Sequence, residues 1–511
     1  MARKIRSRIH FSGTLEAESP VHVGGMNDDP RVDLTLAVNG QGNYYIPGTS
    51  LAGALRAWMA RQDEDITDHL WGALKERGDG GHASFILIED APVQGKVNTE
   101  IRDGVGIDRF TGSAAEHMKF DRAILPKGTQ IRFRLILEGD ASLTHEQWEE
   151  RRLLCNDLIQ AMQSGHLRLG AAKTRGLGQI RLKEVSFKEQ QLLTREGMLA
   201  LLQYGGVERQ LEHSSNPLSQ TLMVEITWKP LSPLMVKAEQ DGIAVDILPL
   251  VSSIGDFLTF VLPGASIKGA LRTQAERIVR TLLSQEIPKQ ADSRQQFLRQ
   301  LEVPLVEELF GAAAKVNAKT KTKGGQIGAL AVDDCYADLK INAEDWDSVT
   351  AATSEAELRQ ALDQSNLQQT QQAFHVAIDR WTGGAADGFL YSTLEPMGIT
   401  WQPIQLTLDL HRLKDSQPVA IALLLFILRD LANNRIPLGY GTNRGMGAIE
   451  VEQITFEGEG LDDSLGELTE KSLVKDDGMP FTLTQLESEV LATLNHAWRD
   501  RITSLKQEIM Q

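Results

Sequence analysis

The chain has 511 residues, 41% hydrophobic and 24% charged, with a formal net charge of −16. That length favours two or more domains, each burying its own core. The acidic balance excludes a simple basic coat over nucleic acid but leaves room for a local basic groove. Two cysteines, Cys155 and Cys335, make neither a disulfide framework nor a zinc spacing, which fits a reducing, cytoplasmic setting.

The basic start MARKIRSRIHFSG carries no apolar stretch behind it and does not read as a signal peptide. No apolar run reaches the roughly 18 residues of a membrane span, so no membrane partner is expected. Further along, PGTSLAGALR at 47–56 predicts a turn and a helix, with Ser50 as its cap and Leu51, Leu55, Trp58 and Met59 on one apolar face. Strands are predicted at 84–91 and 129–139, a helix over 145–165, a glycine-rich loop at 169–178 and a last strand at 179–187. A polar, turn-rich linker is placed at 191–220.

The same order then recurs. TLMVEITWKP at 221–230 alternates apolar and polar residues with a period of two. PGASIKGALR at 263–272 repeats the turn and helix, with Ser266 as cap and Ile267, Leu271, Ile278 and Val279 as its apolar face. A helix over 418–434, the loop LGYGTNRGMG at 438–447 and a strand at 448–456 complete the second set. Residues 457–511 match nothing earlier. They hold acidic turns and then a helix that serves either as a packing element or as a docking surface.

Six landmarks occur twice in one order. SPVHV and SPLMV, and then Asp33 and Asp246, share one offset without a gap, so the two aspartates are equivalent. The two PG turns, HLWGA with ELFGA, IDRFTGSAA with IDRWTGGAA, and the two glycine loops follow. The chain therefore reads as two modules, 1–190 and 221–456. Strand, helix, strands, helix, strand is the order of an α+β ferredoxin-like or RNA-recognition-motif fold, whose sheet is a common RNA platform.

The chemistry-bearing residues sit in these landmarks. Lys173, Arg175, Gly176 and Gly178, and their counterparts Asn443, Arg444, Gly445 and Gly447, combine charge with glycines that let a backbone approach a phosphate. The helix starts at Ser50 and Ser266 offer N–H groups and a positive dipole end, with Arg56, Lys268 and Arg272 nearby. Arg109 and Arg380 stand beside Phe110 and Trp381, which either stack on bases or anchor a core; the core is the preferred reading. The basic run at 315–326 is a surface insertion that either touches RNA or does nothing. The histidines do not pair between repeats: His22 corresponds to Met235 in the second copy. No zinc or serine-hydrolase pattern appears.

Asp33 in VDLTL, IPGTSLAGALR, IDRFTGSAA and KTRGLG resemble the backbone subunit of type III CRISPR effector complexes, of the RAMP superfamily. VDILPL, LPGASIKGALR, IDRWTGGAA and TNRGMG resemble it again, so the chain looks like two such subunits fused in tandem. The resemblance implies polymerisation along a guide RNA (crRNA) beside other effector subunits. It also implies thumb-like hairpins that interrupt the guide–target duplex. An aspartate beside each interruption would cut the target RNA with magnesium or another divalent metal. Carried onto this chain, those aspartates are Asp33 and Asp246, as metal ligands or proton-transfer groups; Asp28, Asp29, Asp241 and Asp256 lie close enough to compete. Two other readings stand beside this one: a non-catalytic guide-binding scaffold, and a guide-processing ribonuclease, which the unpaired histidines oppose.

Overall fold

In a computed structural model, the described residues are 4–25, 29–30, 32–73, 81–203, 205–209, 220–289, 293–313, 325–459, 461, 465–469, 471–475 and 479–510. Asp28, most of the 315–326 run and the polar end of the expected linker lie outside them. The chain divides into two compact units. One comprises 1–102, 121–173 and 177–218; the other comprises 103–120, 174–176 and 219–511.

The first unit is built on an antiparallel sheet. Its opening strand Ile5–Ala17 lies between the last strand, Gln179–Gln191, and Gln130–Asp140, and the short strand Ile86–Ile88 forms the far edge. Helices Gly48–Met59 and His145–Gln163 supply the other layer. Leu51, Leu55 and Met59 on one helix and Leu158, Ile159 and Met162 on the other pack onto Ile9, Phe11 and Leu15 of the opening strand. Residues placed in the linker belong here: the helix Arg195–Leu202 follows the last strand, and Val207–Glu208 pairs with it.

The second unit repeats this strand order. Thr221–Pro230 lies between Ile449–Glu459 and Ile404–Asp409, with Leu330–Asp333 beyond. Leu222, Val224, Ile226 and Trp228 point into the core, as the period of two requires. Helices Gly264–Leu283 and Gln417–Ala432 cover the sheet. Two short segments of the first repeat complete this unit: the tip 103–120, and Arg175–Gly176, which runs parallel to Val332–Asp333.

The tail is a packing element. Ser472–Val474 extends the second sheet, and the helix Ser488–Met510 buries Val490, Leu494, Trp498, Ile502 and Leu505 in the core. Both cysteines are buried, and burial pushes their thiols up to about 12. No helix among the described residues is long and apolar enough to cross a membrane.

Candidate nucleic-acid interface

Each repeat carries a β-hairpin between its second and third sheet strands. The first pairs Glu100–Ile107 with Ala114–Ile124, and the second pairs Thr370–Ile378 with Ala385–Pro396. The IDRFTG and IDRWTG motifs are their tips. An aspartate closes each turn: Asp108 Oδ1 accepts from the N–H groups of Phe110 and Thr111, and Asp379 Oδ1 from those of Trp381 and Thr382. Burial raises the Asp108 carboxyl, but these bonds and one from Gln300 outweigh it and hold it below the usual range. The turn geometry throws the aromatic outward. Trp381 is 95% exposed and Phe110 59% exposed, so neither is a core anchor, contrary to the reading preferred from sequence.

The two tips differ in their surroundings. Arg109 donates to Glu276 at 2.6 Å and to the Ile107 carbonyl at 2.7 Å, and its own N–H meets Gln300 Oε1 at 2.9 Å. Glu276 is 2% exposed and also holds Arg272 at 2.8 Å, and Arg272 donates further to the carbonyls of Gly311 and Leu301. Arg380 occupies the equivalent tip position and is exposed.

The aspartates predicted from the shared offset sit at matching places, at the base of these hairpins. Leu34 N–H donates to the Asp121 carbonyl, and Ala123 N–H to the Leu34 carbonyl. Ile247 N–H donates to the Ser392 carbonyl, and Leu394 N–H to the Ile247 carbonyl. The two ladders are the same, residue for residue. Asp33 and Asp246 are exposed one residue before them. Asp33 Oδ2 accepts from Asp121 N–H at 3.0 Å, and Asp246 Oδ2 accepts from Ser392 N–H at 2.7 Å. Among the competitors, Asp241 pairs with Lys237, and Asp256 is exposed at the turn joining Val251–Ile254 to Phe257–Leu262. Asp29 offers its carbonyl to Val32 N–H.

Asp121 and Ser392 were missed in the sequence. The offset between the two hairpin tips places them opposite one another, but they differ in type, and a search for repeated motifs passes over them.

The expected serine caps do not form. Helix Gly48–Met59 starts after Pro47, and helix Gly264–Leu283 after Pro263, which puts Ser50 and Ser266 inside the first turn. The capping carboxylate comes from a strand end instead. Asp90 accepts from Gly48 N–H at 2.7 Å and Asp334 from Gly264 N–H at 2.8 Å, while the serine N–H groups turn back to the proline carbonyls. The first N–H of each helix and the serine N–H are thus bonded within the protein. Arg56 lies on Asp68 at 2.7 Å. Lys268 is 6% exposed and donates to the Leu330 carbonyl; burial, with Arg175 and Arg272 nearby, lowers its ammonium to about 7.

The glycine loops divide their work. Gly178 and Gly447 both have positive φ, and a Cβ on either would collide with a carbonyl of the chain itself, Leu169 or Leu438. Their N–H groups bond to the carbonyls of Pro20 and Pro233. Gly176 faces Asp334 with no room for a side chain, whereas Gly445 faces open space. Of the predicted loop residues, Arg175 is exposed in the first repeat, with Lys173 half-buried before it, and Asn443, Arg444 and Gly445 are exposed in the second. Arg444 lies over the Tyr440 ring, 4.9 Å from its centroid, and donates to the Tyr391 hydroxyl.

Metal capacity rests on oxygen. Asp33 and Asp246 present carboxylate oxygens of the kind a hard divalent cation takes. No group of three or more His, Cys, Asp or Glu forms a ready-made metal cage among the described residues. Such an ion would need phosphate oxygens or water to complete its shell.

Comparison with known proteins agrees with this duplicated arrangement. The CRISPR system Cms endoribonuclease Csm3 of Methanocaldococcus jannaschii is 22% identical over 218 residues, covering 35% of this chain and 81% of that protein. The sequence model of the RAMP superfamily matches twice, over residues 14–181 and 249–450, and the chain is therefore a member of the RAMP superfamily that carries its module in tandem.

Proposed function

We propose that this protein is a double backbone subunit of a type III CRISPR effector complex, which binds guide RNA and cuts the complementary target RNA at two sites. The observation that carries the reading is the repeated placement of Asp33 and Asp246, both exposed at the base of a β-hairpin. The strand order, fourth, first, third, second in both units, supports a ferredoxin-like platform in each module. The hairpins act as thumbs. Their exposed Phe110 and Trp381 stack against bases, and a nucleotide displaced there brings its ribose 2′-hydroxyl in line with the adjacent phosphate.

At that point the aspartate either accepts the hydroxyl proton, as the 2′-oxygen bonds to phosphorus and the 5′-oxygen of the next nucleotide leaves and takes a proton from water, or would help hold a divalent cation such as magnesium. Asp33 and Asp246 would hold such a cation, which would supply charge neutralisation at the phosphate. Arg175, Arg380, Asn443, Arg444 and Gly445 are the exposed candidates for guide and target backbone. Lys268, Arg109 and Arg272 make their polar contacts inside the fold and support the exposed groups indirectly.

The test uses the chain assembled with its partner subunits and a guide. A labelled, guide-matched RNA is incubated with magnesium or with a chelator, using the native chain and the Asp33→Ala/Asp246→Ala double variant. Two cuts by the native chain, lost in the double variant with target binding retained, are expected. Undiminished cutting by the double variant would favour the scaffold reading.

A further inference from the structure

Each of the two aspartates is held on its hairpin by one further side chain, and that side chain differs between the repeats. In the first, the Asp121 carboxylate accepts from Asp33 N–H at 2.6 Å, while Asp121 N–H donates back to Asp33 Oδ2 at 3.0 Å. In the second, Ser392 serves both ends. Its hydroxyl oxygen accepts from Asp246 N–H at 3.3 Å, and its O–H donates to Asp246 Oδ2 at 3.1 Å, beside the 2.7 Å bond from its own N–H.

The backbone ladder joins the two segments in the same way in both repeats. The added side-chain bonds act on the aspartate itself. One fixes its peptide N–H, and in the second repeat another fixes a carboxylate oxygen, so together they set where the free face of the carboxylate points. We infer that Asp121 and Ser392 are positioning residues, one for each cut. The inference rests on the proposed cutting role of Asp33 and Asp246.

The chemistry of the two holders predicts which replacements are tolerated. Asp121 acts here as an acceptor, and an asparagine carboxamide oxygen can accept the same bond. Ser392 acts as donor and acceptor together, and a threonine hydroxyl keeps both. Ser392 is buried, so its hydroxyl cannot readily be replaced by solvent.

The experiment is single-turnover cutting of a guide-matched RNA by the assembled complex, with target affinity measured in parallel. Asp121→Ala should slow the cut assigned to Asp33, and Ser392→Ala the cut assigned to Asp246, each by roughly 10- to 100-fold, the cost of a misplaced reacting group. Each should leave the other cut and the target affinity unchanged. Asp121→Asn and Ser392→Thr should restore cutting.

Asp33→Asn and Asp246→Asn run beside them as controls. If the controls lose their cuts while both alanine variants cut at the native rate, the positioning role is wrong and the cutting role stands. If the controls also cut normally, the cutting role fails and the positioning role falls with it. An alanine variant that loses both cuts or target binding, or a conservative variant as slow as alanine, shows a merely structural role and overturns the inference.

Discussion

The carboxylate of Glu276 gives the sharpest test of how the first hairpin tip is held. It is buried between Arg109 at 2.6 Å and Arg272 at 2.8 Å, and both guanidiniums are themselves largely shielded. Glu276→Ala removes the shared counter-charge and leaves two guanidiniums without it. Breaking a buried pair in this way costs about 3–5 kcal/mol. Arg109→Ala leaves Glu276 still paired with Arg272, so it should cost less, about 1.5–3 kcal/mol for a hydrogen bond to a charged group. Denaturant unfolding followed by tryptophan fluorescence measures both, and amide exchange reports the tip. Glu276→Ala should lower the midpoint and speed exchange at residues 108–112, and the Arg109→Ala/Glu276→Ala cycle should be non-additive. A loss within about 0.5 kcal/mol, the range of ordinary surface changes, would mean that Glu276 does not hold the tip.

Three further outcomes follow from the geometry. Lys268 has a folded pKa lowered to about 7 from an unfolded value of about 10.4, so the unfolded chain binds more protons between those limits. The stability penalty is full below about pH 7 and is relieved as pH rises toward 10; Lys268→Met should flatten this rise in denaturation measured across that window. Gly178→Ala and Gly447→Ala combine strained φ with a backbone collision and should each cost more than about 1 kcal/mol, read from denaturant midpoints. Trp381→Ala should leave stability within about 0.5 kcal/mol but weaken target RNA binding by about 1–3 kcal/mol if one base stacks there, measured by titration with labelled RNA.

The repeat was legible because periodicity and turn residues act locally. Alternation in 221–230, the PG turns and the glycine loops each appear where expected, and the offset joining Asp33 to Asp246 returns in the structure as one ladder of hydrogen bonds. What escaped depends on partners distant in sequence. The helix caps come from Asp90 and Asp334, 42 and 70 residues beyond the N–H groups they bind, so a serine three residues into the motif looked like the cap. Arg272 read as a phosphate ligand because its partner Glu276 is not repeated; Ala60 stands at that place in the first module. Phe110 and Trp381 looked like core residues by type, yet the aspartate-closed turn turns them outward. Residues 195–208 and the tail were set apart by composition, although their apolar and strand-forming positions complete the sheets and the second core.

Whether each module carries one cutting aspartate is read by mapping cut positions on a labelled, guide-matched RNA for Asp33→Ala and Asp246→Ala separately. Each variant is expected to lose a different single cut while target binding persists. Retention of both cuts in each variant and in the double variant would contradict this.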